Sequence, residues 1–237
     1  MSYEEPSDDG DSVTVLVTGF GVEKARPPSG SIKLTTAQEF QDIKINPSWE
    51  IASQLPSTLD FKGINIRIIT QTEPLKAAYH SLFDVTPKLL QQYNPDIVLH
   101  VGLAVERDYF AIEHGANRDG YQQYPDVARK VFTKAEIKKA WGKSPERLDS
   151  PLDFDDVVAK WKAQVGKGVD VRASDDVGTY VCGFVYYTSM EYFWKRGTPE
   201  TPVVFMHVPP LSGKGDLEKG KAVTLSLIQA IAQSCRK

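Results

Sequence analysis

The sequence predicts an α/β fold with a mostly parallel sheet and helices on both faces. Two observations predict it. Short runs of continuous apolar residues, VTVLVT (13–18), DIVLHVG (96–102) and PVVFMHV (202–208), read as strands buried on both sides, because a half-exposed strand would alternate with polar residues. Between them lie segments with apolar residues at helical spacing, and alternation of the two kinds of element is the pattern of a parallel sheet. The chain has 237 residues, of which 41% are hydrophobic and 25% charged, enough for a packed core in one domain.

The elements follow in order. Residues 1–12 are acidic and polar and read as a disordered tail; 13–237 read as one domain. Val13–Thr18 is the first strand, ended by the turn Gly19-Phe20-Gly21. Residues 22–38 contain Arg26-Pro27-Pro28-Ser29-Gly30-Ser31, which fits neither strand nor helix and reads as a loop. Asn46-Pro47-Ser48-Trp49 starts a short helix, with proline in its first turn. Asn65–Thr70 is the second strand. Tyr79–Tyr93 is a helix with Leu82, Val85, Leu89 and Leu90 on one face and Pro87 as a possible kink. Asp96–Gly102 is the third strand, and Tyr109–His114 a short strand or turn. Residues 122–151 are polar and irregular, with a short helix around Lys134–Trp141. Asp153–Val165 is a helix and Val169–Arg172 a short strand. A helix then begins near Thr179, with Val181, Phe184, Val185, Thr188 and Tyr192 at helical spacing. Pro202–Val208 is the last strand, and Leu217–Ser234 the last helix.

Composition narrows the function. The net charge is −3 and no Lys/Arg run stands out, which argues against nucleic acid as a partner. Two cysteines, Cys182 and Cys235, make no disulfide framework. The N-terminus lacks the apolar core of a signal peptide, and no run approaches the roughly 18 apolar residues that span a membrane. The expected location is the cytoplasm, where a free thiol persists.

In an open α/β sheet, ligands bind beyond the carboxyl ends of the strands. That rule selects Phe20, the residues from Leu103 onward, and His207. Cys182 falls in the first turn of its helix, where unpaired N–H groups and the helix dipole favour a thiolate. It reads either as a nucleophile or as a buried structural cysteine. His207 ends a buried strand and reads either as a general base for that cysteine or as a core histidine. Of the other histidines, His80 lies on a helix, exposed; His100 lies mid-strand, in the core; His114 has no obvious task. A cysteine–histidine pair usually needs a group that orients the imidazole. Glu106, Asp108 and Glu113 are the acidic candidates. Glu113 follows Ala111-Ile112 and is the least surface-like of the three, but spacing does not choose among them.

Competing motifs are weak. Gly215–Ala222 nearly matches GxxxxGK[ST], yet Ala222 replaces the hydroxyl that holds Mg²⁺, and the stretch carries acids. It reads as a loop leading into the last helix. There is no GxGxxG, no GxSxG elbow and no HExxH. Clusters with metal-ligand spacing are also missing, so no metal or cofactor is called for.

Taken together, several segments resemble the pyroglutamyl peptidase type I (pyrrolidone-carboxylate peptidase) family, cysteine peptidases that remove an N-terminal pyroglutamyl residue. VLVTGFG (15–21), INPSWE (45–50), HVGLA (100–104), FAIEHGANRDGY (110–121), SDDVGTYVCGFVYYTS (174–189) and FMHVPP (205–210) are similar to its motifs, in the family's order. The resemblance implies a single three-layer α/β/α sandwich with a mixed central sheet, phosphorylase/hydrolase-like. It implies Cys182 as nucleophile, His207 as base and Glu113 as the orienting acid. It implies substrate contacts at Phe20, Phe40 and Asn46, with the two aromatic rings flanking the lactam. Partners would be small peptides bearing an N-terminal pyroglutamate, with no nucleic acid and no membrane; no oligomeric state is implied.

The main departure is residues 22–38, an apparent insertion. Removing it leaves TGFG-E-FQDIKINPSW, close to the family pattern, and makes Phe40 the second aromatic. Smaller departures are Val177 in the turn before Cys182 and Gly183 after it. The alternative reading is a catalytically impaired homologue that binds pyroglutamyl peptides, its pocket altered by the insertion. A phosphate-binding enzyme using Gly215–Lys221 ranks last.

Overall fold

The computed structural model describes residues 12–21 and 46–236. The insertion at 22–38, Phe40 and residues 1–11 of the tail lie outside them. Ser12, assigned to the tail, opens the first strand instead, β1 (Ser12–Gly19), because it pairs with Asn65 of the neighbouring strand.

The remaining strands are β2 (Thr58–Phe61), β3 (Ile64–Thr70), β4 (Ile97–Leu103), β5 (Phe110–Glu113), β6 (Gly115–Asn117), β7 (Arg147–Asp149), β8 (Val171–Ser174) and β9 (Val203–Val208). The helices are α1 (Pro47–Ala52), α2 (Tyr79–Tyr93), α3 (Lys134–Trp141), α4 (Phe154–Gln164), α5 (Val181–Arg196) and α6 (Asp216–Cys235). A seven-stranded sheet has the order β2-β3-β1-β4-β9-β5-β8. β3, β1, β4 and β9 run parallel; β2 is antiparallel to β3, and β5 is antiparallel to β9. The sheet is therefore mixed, as expected, and the fold is an α/β/α sandwich.

Side chains alternate between two cores. Val15, Val17, Leu99, Val101, Val204 and Met206 face one layer, covered by α1, α4 and α6. Leu16, Val98, Val203 and Phe205 face the other, covered by α2, α3 and α5. Every β4 and β9 residue is buried, which explains their unbroken apolar runs.

α2 runs through Pro87 without interruption. β8 begins two residues later than the predicted strand and ends at Ser174, where its pairing with Glu113 of β5 fixes it. The near-P-loop is the start of α6 itself. Gly220 packs against Ile51 inside that helix, and Lys221 Nζ is held by Glu218 at 2.9 Å.

The polar segment 122–151 gains a role. Its Phe132 and Trp141, with Tyr121 and Tyr79, place their rings 4.9–5.2 Å from Phe184 of α5. Trp141 also meets Tyr187 at 4.9 Å. α5 is thus covered on its outer side as well as against the sheet. It is buried almost all round from Val181 to Glu191, where the spacing had suggested only one apolar face. Asp126 organises this segment: its carboxylate accepts from the N–H groups of Ala128 and Lys130, and from Tyr79 N–H at the start of α2.

Candidate active site

His207 lies in β9 between two small residues. Gly102 of β4 pairs with it on one side and Ala111 of β5 on the other. In the antiparallel β5–β9 pair, Glu113 stands opposite Phe205, so its side chain shares a sheet face with His207 one diagonal away. The carboxylate oxygen Oε1 is 2.7 Å from His207 Nδ1. Strand register thus chooses Glu113 from the acidic candidates. Glu106 and Asp108 are exposed on the connection between β4 and β5.

Cys182 is the second residue of α5; Tyr180, still extended, precedes the helix. The start is two residues later than predicted from Thr179. Among the described residues no side chain caps it, so the first-turn N–H groups keep their donor capacity. The sulfur reaches the sheet over Gly102, where an added Cβ would lie 3.1 Å from Sγ and 2.5 Å from the Phe205 ring. The approach to α5 turns at Gly178, with φ +76°, a conformation that suits glycine. Its carbonyl then packs on Gly183, where a Cβ would lie 2.2 Å from it.

Cys182 and His207 line one cavity of about 340 Å³, shared with Leu103, Arg107, Tyr124 and Tyr180. The imidazole uses Nδ1 for Glu113, so Nε2 is the ring nitrogen not engaged by that carboxylate. The hydrogen placement follows from that bond, since Nδ1–H must donate to the carboxylate.

Electrostatics separate the three groups. Burial opposes the charge of Glu113, but the hydrogen bond and charge of His207, with Ser174 and Arg107, outweigh it and hold the carboxyl down at about 2. Burial, then Glu113 and Glu106, push the Cys182 thiol up to about 12, with Arg107 acting the other way. The expectation of a thiol lowered by its helix start is therefore not met. Loss of hydration and two carboxylates outweigh the dipole.

Two groups escaped the sequence reading. Arg107 donates through Nη1 to Glu113 Oε1 at 2.7 Å and through Nη2 to the Asp176 carbonyl at 2.8 Å. Its signal was its place just beyond the carboxyl end of β4, where only the acids on either side had been weighed. Tyr124, 42% exposed, lines the cavity from the irregular segment that carried no assignment.

Among the described residues, Phe20, Asn46 and the other histidines are not part of this lining. Phe20 is buried beside Leu75, to which it is joined by a β-bridge. Asn46 caps α1, its Oδ1 accepting from Ser48 N–H at 3.1 Å. The Ser48 hydroxyl lies 2.8 Å from that same oxygen and accepts from Phe20 N–H at 3.1 Å, so the NPS turn fixes the backbone after β1. His100 is a core residue, between Thr18 Oγ1 at 2.7 Å and Ser189 Oγ of α5 at 2.8 Å, and burial lowers its pKa to about 3. His80 pairs with Glu136 and His114 stacks on Phe154. Among the described residues, no group of three or more His, Cys, Asp or Glu side chains converges as a metal site. Among them, too, no helix is long and apolar enough to cross a membrane.

A buried cysteine on a helix start, lining one cavity with an imidazole held by a carboxylate, is the arrangement of an α/β cysteine hydrolase. The sequence profile of the family described as Pyroglutamyl peptidase matches residues 31–234, and the chain belongs to that family. It is similar to pyrrolidone-carboxylate peptidase 1 of Ralstonia nicotianae, 31% identical over 199 residues (84% of this chain, 79% of the relative). It is also similar to pyroglutamyl-peptidase 1 of Mus musculus, 26% identical over 197 residues (83% and 79%). Its fold matches the pyrrolidone carboxyl peptidase of Pyrococcus furiosus with a TM-score of 0.68 at 22% identity, covering 93% of this chain and 98% of the other. The pyroglutamyl peptidase I of Bacillus amyloliquefaciens gives the same TM-score at 21% identity, covering 93% and 95%. The profile match begins after β1.

Proposed function

We propose that the protein is a cytoplasmic cysteine peptidase that removes N-terminal pyroglutamyl residues from peptides through Cys182, His207 and Glu113. The observation that carries this reading is the 2.7 Å contact between Glu113 and His207 at the wall of the cavity that Cys182 also lines. Family membership supplies the substrate class.

Cys182 Sγ attacks the exocyclic carbonyl of the pyroglutamyl residue. Because the resting thiol is neutral, His207 Nε2 takes its proton as the S–C bond forms. The oxyanion that develops meets the free N–H groups at the start of α5. His207 then returns the proton to the leaving amine, and Glu113 stabilises the transient imidazolium. Water, deprotonated by His207, cleaves the thioester and releases 5-oxoproline.

The substrate has no α-ammonium, so an uncharged lactam slot with a few hydrogen bonds suffices. In this reading Phe20 and Phe40 flank the lactam ring and Asn46 holds the first of them in place through Ser48. Replacing Phe20 with Ala would then raise KM for a pyroglutamyl-arylamide more than it lowers kcat.

The deciding assay is hydrolysis of a pyroglutamyl-arylamide by wild type and Cys182→Ala. Turnover by wild type and none by the variant is expected. An active Cys182→Ala protein overturns the mechanism. Tight binding without turnover by wild type would instead support the impaired homologue.

A further inference from the structure

We propose that Arg107 is a positioning residue of this site: it locks the orienting acid and the loop before the nucleophile into one unit. The proposal rests on the assignment of Cys182, His207 and Glu113 above and deepens it.

The guanidinium contacts two separate parts of the site. Nη1 donates to Glu113 Oε1, the same oxygen that receives His207 Nδ1, and Nη2 donates to the Asp176 carbonyl. Asp176 lies between β8 and α5, and its Oδ1 accepts from Gly178 N–H, so the bond bears on the turn that delivers Cys182. The side chain is only 10% exposed, and Tyr109, 5.7 Å from the guanidinium, flanks it. A planar fork with donors in fixed directions can hold both targets at once; an ammonium can meet only the charge.

Charge gives a second reason. Glu113 is fully buried, and a buried carboxylate is costly without a permanent counter-ion. Arg107 supplies a permanent one, and its charge also favours the Cys182 thiolate.

The two effects separate experimentally. Arg107→Gln removes charge and fork; Arg107→Lys keeps the charge alone. Turnover is normalised to the fraction of protein that melts cooperatively, so misfolded protein does not count, and alkylation is read on the Cys182 peptide because the exposed Cys235 also reacts. Arg107→Gln is expected to lower kcat on a pyroglutamyl-arylamide by about 10–100-fold with KM within about threefold, the size of a small misplacement of reacting groups. Its alkylation rate at fixed pH is expected to fall severalfold, because the thiol loses its cation. Arg107→Lys is expected to restore the alkylation rate but not kcat. Wild-type kcat per folded protein in Arg107→Gln, or full recovery of kcat by Arg107→Lys, overturns the positioning role. Alkylation needs no substrate, so it reads Arg107 even if wild type fails to cleave the arylamide, an outcome that would sink the substrate assignment instead.

Discussion

The Cys182 sulfur occupies the space that a side chain at Gly102 would need. Gly102 is also the β4 partner of His207, so one missing side chain lets the Cys182 thiol and the imidazole share a wall. Gly102→Ala would set a methyl 3.1 Å from Sγ and 2.5 Å from the Phe205 ring. Overpacking of this kind costs about 1–3 kcal/mol. The variant should fold with a lowered Tm and lose about 100-fold in kcat as the sulfur is displaced. Arylamide kinetics beside thermal melts check both.

Gly183 makes a second close approach. A Cβ there would sit 2.2 Å from the Gly178 carbonyl, backbone that cannot swing aside. Gly183→Ser should therefore push the turn away from α5 and reduce kcat at least tenfold, although serine is a modest change of size. Wild-type turnover in that variant would mean the turn is softer than its packing implies.

Glu113 sets an acid dependence. Its carboxyl lies below its ordinary 4.5, at about 2, so it stabilises the fold fully above pH 4.5. That increment fades as the pH falls from about 4.5 towards 2. Melting temperatures of wild type and Glu113→Gln should differ most above pH 5 and converge below it. In the neutral range Glu113→Gln should lose about 10²–10⁴ in kcat, since an amide neither stabilises the imidazolium nor fixes its tautomer.

Cys182 predicts an alkaline dependence. Held up at about 12 rather than 9.0, the thiol is neutral at physiological pH in the free enzyme. Inactivation by iodoacetamide should accelerate continuously from pH 7 to 10. A rate already at its plateau by pH 6 would reveal a preformed thiolate and overturn this reading.

Much of the fold was legible because its signals are local. α2 was read to the residue from its apolar stripe, and β1, β4 and β9 from their unbroken apolar runs. The misses were β2, β6 and β7, strands of three or four residues. Such segments have too little pattern of their own and exist through pairing: β2 with β3, and β6 with β7. The burial of α5 on its outer side was missed because it depends on Tyr121, Phe132 and Trp141, some 40–60 positions away in the chain.

The sequence by itself determined the layered α/β architecture, the strand ends as the place for chemistry, and Cys182 on a helix start with His207 at a strand end. Periodicity and end signals are properties of neighbouring residues, and they survive without a fold. Spacing left the acid open and the resemblance pointed to Glu113; the tertiary structure gives the physical reason it meets His207, because β5 runs antiparallel to β9 and places Glu113 one diagonal away. It alone brought Arg107 onto that carboxylate and the thiol into the gap at Gly102. It also reversed the expected charge state of Cys182, because desolvation depends on what packs around a group and not on its neighbours in sequence.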